Sequence, residues 1–170
     1  IDAERIKRDV QTMMDRTNVL QQTNRRVLQR LSPAGLQELG LTRALEALVE
    51  MWRQDQPATM LTLKITGSFD DLDGTTTLTI YRVVQEGLTN AFRHAGASRI
   101  AAEVSRQDTT PGPIIVGVRD DGEGMPDEAA DGFGLRGMRE RVSALGGSLL
   151  VTSSNGDGTQ LQAVIPVTIA

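Results

Sequence analysis

Glu86, Asn90 and His94 follow one another at four-residue intervals within the stretch 81–94. That stretch reads as one helix, because Val83, Val84, Leu88, Ala91 and Phe92 recur at helical spacing and make an apolar face. Residues four apart lie one turn above another, so Glu86, Asn90 and His94 form a polar row, with Arg93 beside it. A carboxylate, a carboxamide and an imidazole in line have the chemistry to hold a hydrated metal ion and the phosphates it bridges. An amphipathic helix with a solvated polar edge shows the same pattern. What distinguishes the chemical reading is the sequence downstream, where glycine-rich turns stand at 120–124, 132–137 and 156–158.

The first of these, Asp120-Asp121-Gly122-Glu123-Gly124, follows an apolar run, 114–119, that reads as a central strand. Glycines there let a ligand approach the backbone closely. An aspartate at the strand's end accepts a hydrogen bond from an exocyclic amine such as that of adenine, although Asp-Gly is also a common tight turn. The second, Gly132-Phe133-Gly134-Leu135-Arg136-Gly137, opens a helix expected over 135–145, and helix N-termini attract phosphate. Its Gly-x-Gly-x-x-Gly spacing lacks the strand immediately before it that a dinucleotide fold requires. The third, Gly156-Asp157-Gly158-Thr159, joins strands expected at 148–153 and 160–166, as a hairpin turn would.

The remaining elements have to position these groups. Residues 1–31 read as one long helix, in which Ile6, Val10, Met13, Thr17, Leu20, Asn24, Val27 and Leu31 alternate steps of four and three. That is the seam of a coiled coil or bundle, whose apolar stripe needs a second helix to cover it. Ser32 and Pro33 start a further helix running to 54, with a bend expected at Gly40. A strand is expected at 59–66, then an acidic loop at 67–74 with Thr75, Thr76 and Thr77 capping the polar-row helix. Gly96 suits the left-handed position that ends that helix. A strand follows from Arg99 to Ser105, then a turn at 107–113.

The 170 residues carry a net charge of −4, 3% aromatics and no cysteine. This charge gives no attraction to nucleic acid, and the scarcity of aromatics argues against base-stacking platforms. Without cysteine there are no disulfides and no thiolate zinc site. No apolar run approaches the roughly 20 residues of a membrane span. The chain opens inside a helical pattern with no initiator methionine, and reads as a piece of a longer protein.

Together the four elements form an ordered set: Glu-x-x-x-Asn on a helix, Asp-x-Gly-x-Gly after a strand, Gly-x-Gly-Leu before a helix, and Gly-x-Gly-Thr in a late hairpin. The set resembles the ATP-binding domain, often called the Bergerat fold, shared by sensor histidine kinases, gyrase, Hsp90 and MutL. Residues 86–95 match its N box. Asp120–Gly124, Gly132–Leu135 with the following 137–142, and Gly156–Thr159 match its three glycine boxes. Leu31–Leu41 and Gly137–Gly147 further resemble histidine kinases of the nitrate-sensor and hexose-phosphate-sensor type.

The resemblance implies an α+β fold. Its ATP-binding domain, over 55–170, is an α/β sandwich with a mixed sheet and helices on one face. A partial dimerisation and phosphoacceptor region, 1–54, precedes it. The cofactors implied are ATP and Mg²⁺. Asn90 would ligate Mg²⁺, and Glu86 would orient or activate the reacting group. Arg93 or His94 would approach the phosphates. Asp120 would bind the adenine amine in a pocket shaped by Gly122 and Gly124. Gly132, Gly134, Leu135 and Gly137 would form the lid hinge and phosphate contact, and Thr159 would support the adenine side.

The implied reaction is phosphoryl transfer to a histidine of the dimerisation domain, then to an aspartate of a response-regulator receiver domain. A homodimer is expected in the parent, in the cytoplasm, with any inner-membrane anchor outside this sequence. His94, the only histidine, falls in the N box, so the acceptor helix is expected upstream and the chain alone should not autophosphorylate. The alternatives are an anti-sigma-factor-type serine kinase and a kinase-dead dimerising scaffold.

Overall fold

The computed structural model describes residues 36, 38–106, 112–124, 133–154 and 156–167. The chain divides into two units, 1–38 and 39–170. In the first, Leu36 and Glu38 are helical. The seam helix expected over 1–31, its Ser32-Pro33 break, most of the 107–113 turn, Gly132 and Asn155 lie outside the described residues.

The second unit is built on a five-stranded sheet in the order β1-β2-β3-β5-β4. The strands are β1 (Met60–Thr66), β2 (Arg99–Arg106), β3 (Ile114–Asp120), β4 (Ser148–Ser154) and β5 (Gly158–Ile165). β1 and β2 are parallel, joined by helix α2 (Gly74–His94), and the other pairs are antiparallel. Helix α1 (39–55) precedes β1, and α3 (Phe133–Ala144) leads into the β4–β5 hairpin.

Alternation along the strands sets the layers. Ile100, Ala102 and Val104 of β2, Ile114, Val116 and Val118 of β3, and Leu161, Ala163 and Ile165 of β5 are buried. Their neighbours Arg99, Ala101, Glu103, Arg119 and Gln160 are exposed. The helices therefore cover one face only, giving the mixed α+β sandwich. Ile80, Val83, Val84 and Leu88 supply the inner face of α2, and Leu135, Met138 and Val142 that of α3. Gly87 lets α2 lie close to the sheet, because a β-carbon there would come 2.8 Å from Val118 Cγ2. On the outer side of α2, Phe92 stacks on Trp52 of α1 with ring centroids 4.4 Å apart.

Over the described residues the expected order of elements is present, with corrections at several boundaries. The polar-row helix begins at Gly74, and its cap is Asp73 rather than the three threonines. The Asp73 carboxylate accepts the N–H groups of Thr75 (2.7 Å) and Thr76 (2.9 Å). Two of the threonine hydroxyls donate to the cap residue instead: Thr76 Oγ1 to the Asp73 carboxylate and Thr77 Oγ1 to the Asp73 carbonyl. β3 runs one residue further than expected, through Asp120, and β5 begins at Gly158 rather than Gln160, because hairpin pairing extends to Ser154↔Gly158. α3 starts at Phe133 rather than Leu135. Gly40 has φ +75° and Gly96 φ +57°, as their expected roles require.

Replacing Asp73 with Ala should cost about 1 kcal/mol, the usual worth of an N-cap. Hydrogen bonds from Thr76, first from its side chain and then its backbone, hold the Asp73 carboxyl below its ordinary 3.8. A depressed folded-state value means that this stability is present above about pH 4 and is lost as pH falls through the lowered value. Denaturant titrations of wild type and Asp73→Ala should therefore differ at pH 7 and converge in strong acid.

Candidate functional site

Asp120 ends the central strand and is only 6% exposed. Its Oδ1 accepts two backbone N–H groups, from Gly122 (3.0 Å) and Thr159 (3.2 Å). One carboxylate oxygen thus ties the first glycine turn to the third. Among the described residues both bonds go to Oδ1, which leaves Oδ2 to accept from a further donor.

Three backbone contacts without room for a side chain lock the segments around it. A β-carbon on Gly122 would come 2.1 Å from the Ala95 carbonyl oxygen, one on Gly124 2.3 Å from that of Ser154, and one on Gly158 2.1 Å from that of Asp120. The backbone bonds agree: Glu123 N–H donates to Ala95 (2.8 Å) and Gly156 N–H to Glu123 (3.0 Å). Ser153 and Thr159 pair their hydroxyls at 3.1 Å. The end of α2, the turn at 121–124 and the β4–β5 hairpin therefore meet around Asp120.

Asp121 is a structural element of this junction that the sequence reading did not single out. Its carboxylate accepts the backbone N–H of Ser98 (2.9 Å) and Arg99 (2.7 Å), the Ser98 hydroxyl (2.8 Å) and Arg99 Nε (3.2 Å). The Arg99 backbone bond, then the Ser98 hydroxyl, holds this carboxyl far below the usual range. The clamp fixes the start of β2 against the first glycine turn. The doubled Asp at a strand's end was the available signal, and which of the two would turn inward depends on strand alternation.

The polar row lies along α2 as expected. Glu86 and Asn90 are half-buried, while Arg93 and His94 are exposed in the last turn. Glu86 Oε1 lies over Gly134 of α3, whose β-carbon would come within 2.1 Å of it. Helix α3 thus reaches the row. Leu135 is 4% exposed and belongs to the core, where it anchors the start of α3. Gly137 is half-buried, with Arg141 Nη1 3.1 Å from where its β-carbon would be.

The arrangement is a carboxylate acceptor at one end of a helix and a carboxylate–carboxamide row further along it. Nine residues of helix separate Glu86 from Ala95, roughly 13 Å at 1.5 Å per residue. One elongated ligand could meet both ends, with an amine at Asp120 and anionic groups toward Asn90 and the first turn of α3.

Residues 75–169 match the family model described as histidine kinase-, DNA gyrase B-, and HSP90-like ATPase. The signal transduction histidine-protein kinase/phosphatase UhpB of Salmonella typhimurium is 36% identical over 84% of this chain, which spans 28% of that protein. The nitrate/nitrite sensor protein NarQ of Escherichia coli is 35% identical over 73% of the chain and 22% of its own length. The chain thus spans less than a third of either relative. Among solved structures, the histidine kinase domain of an Erythrobacter litoralis blue-light activated histidine kinase superposes with a TM-score of 0.59 at 29% identity. That match covers 74% of this chain and 58% of the other.

Proposed function

This chain belongs to the histidine kinase-, DNA gyrase B- and HSP90-like ATPase family, in the company of sensor histidine kinases, and on that premise we propose that it binds Mg-ATP as the catalytic part of such a kinase. The observation that carries the reading is Asp120: a buried carboxylate, held through one oxygen by Gly122 and Thr159, whose other oxygen would accept from an adenine amine. Gly122, Gly124 and Gly158 make the backbone cradle beside it.

Asn90 would give Mg²⁺ one oxygen, the ion taking the rest of its shell from phosphates and water, as Mg²⁺ sites in phosphoryl transfer do. Mg²⁺ neutralises charge on the phosphates, and the chain's own groups do the positioning. Arg93 and His94, in the last turn of α2, would meet phosphate from the solvent side. Glu86 would orient or activate the accepting nitrogen. The first turn of α3, with Gly134 and Gly137, and Gly132 before it, would close on the phosphates.

The acceptor is a histidine of the parent's dimerisation region, which we assign to 1–54 and the sequence before it, and the parent acts as a homodimer. Phosphate then passes to the aspartate of a response-regulator receiver domain. We propose the cytoplasm as its location, where ATP is available to it. No helix among the described residues is long and apolar enough to cross a membrane. The names of the relatives favour histidine over serine as acceptor, and the presence of Glu86, Asn90 and Asp120 favours a kinase over a scaffold.

Titration of the 170-residue chain with ATP, with and without Mg²⁺, tests the reading. Mg²⁺-dependent binding is expected, and failure to bind ATP at millimolar concentration overturns it. With [γ-³²P]ATP the chain should not label itself, since His94 lies in the N box, and should label a separately supplied acceptor helix pair. Asn90→Ala should weaken the Mg²⁺ dependence of binding. Glu86→Gln should spare binding and slow transfer by about 10²–10⁴-fold, the usual worth of a positioned acid–base group. Equal loss of binding in both variants would mean that Glu86 is structural.

A further inference from the structure

Glu86 and Gly134 belong to different helices, yet they share one small volume. A β-carbon on Gly134 would come 2.1 Å from Glu86 Oε1, 3.1 Å from Cδ and 3.5 Å from Cγ. Its three nearest neighbours are thus all from one side chain, and the carboxyl end lies directly over the Gly134 backbone. The backbone itself does not call for glycine here, because the positive-φ glycines are Gly40, Gly67, Gly96, Gly124, Gly146, Gly156 and Gly158. Glycine in a helix is less favourable than alanine, so a glycine in the first turn of α3 needs another reason. The room it leaves for the carboxylate is that reason. The first turn also carries the positive end of the α3 dipole, which favours a carboxylate in that place.

We propose that Gly134 is a positioning residue for Glu86: its missing side chain forms the seat that holds the carboxylate at the reacting end of the nucleotide. The proposal rests on the reading of Glu86 as the group that orients or activates the acceptor nitrogen. It gives Gly134 a duty different from hinge freedom, since its backbone is an ordinary helical one. A methyl group at 134 displaces the carboxyl end by more than an ångström, because 2.1 Å must open to normal contact. The atom that has to move is the far end of a flexible chain, so the fold gives way easily while the chemistry does not.

The test is Gly134→Ala, alone and with Glu86→Ala, in the parent kinase and in the 170-residue chain. The single variant should lower kcat by about 100-fold, the scale of an ångström misplacement, a larger effect than any rise in KM for ATP from its place beside the phosphates. Its Tm should not fall. In the Glu86→Ala background, Gly134→Ala should bring no further loss of kcat, because the group it displaces is already gone. A second readout needs no nucleotide: the ¹³C signal of the Glu86 carboxyl carbon should shift on Gly134→Ala in the ATP-free chain. An unmoved Glu86 signal, or a loss carried wholly by KM, or an undiminished loss in the double variant, overturns the proposal. If the wild-type chain binds no ATP, the functional reading fails, and the carboxyl signal still decides the seat.

Discussion

Asp120→Asn should cut ATP affinity by about 10- to 100-fold, the cost of leaving a buried hydrogen-bonding group mismatched. The orientation of the new amide is set in advance. Gly122 and Thr159 both present N–H groups to Oδ1, so the amide oxygen must take that place. The NH₂ group is then forced into the position of Oδ2, where it meets the adenine amine donor to donor. The fold should lose only about 1 kcal/mol, the difference between backbone bonds to a charged and to a neutral acceptor. Calorimetric titration with ATP and with ITP separates recognition from damage. In ITP the amine is replaced by a carbonyl, which the variant's amide can satisfy. The variant should therefore lose ATP and gain on ITP. If both nucleotides bind the variant as they bind wild type, Asp120 is a turn residue and the adenine assignment fails.

The ordered arrangement of Glu86, Asn90, Asp120 and the glycine turns was legible in the sequence because each element carries local chemistry. Helical periodicity gives the row, an apolar run gives the central strand, and Asn-Gly-Asp-Gly gives the hairpin. The cap was misjudged because Asp73 and the threonines after it are all good caps. Only the geometry shows that the carboxylate reaches two N–H groups while the hydroxyls of Thr76 and Thr77 donate to Asp73 itself. The contacts that make the pieces one site were not legible. Gly122 on Ala95, Gly158 on the Asp120 carbonyl and Glu86 on Gly134 join segments from 27 to 48 residues apart. Such contacts depend on how layers pack, which no local pattern encodes. Asp121 shows the same limit. Of two adjacent aspartates, the alternation of β3 turns Asp120 inward, where it is buried, and leaves Asp121 to clamp Ser98 and Arg99.

Gly158→Ala should be the most damaging of the glycine substitutions in the hairpin, costing about 2–5 kcal/mol of stability. Two effects add. At φ +79° an alanine pays about 1–2 kcal/mol for the left-handed conformation. Its β-carbon would also stand 2.1 Å from the Asp120 carbonyl oxygen, 2.8 Å from the carbonyl carbon and 3.0 Å from Asp121 Cα. These are backbone atoms of the central strand and the turn after it, and relieving such a clash costs about 1–3 kcal/mol. Gly156, two residues earlier in the same turn, supplies the control. It has φ +86°, yet a β-carbon there meets nothing within 4 Å. Gly156→Ala should therefore show only the conformational cost. The difference between the two variants in denaturant unfolding isolates the contact with Asp120. ATP affinity should follow it, because relief of the clash moves the residue whose side chain we propose faces the adenine. Gly156→Ala should keep the affinity of wild type, and Gly158→Ala should lose it even at temperatures where it remains folded. Equal destabilisation in the two variants would mean that the close approach of Gly158 to the strand contributes nothing, and that the hairpin is held by its turn geometry alone.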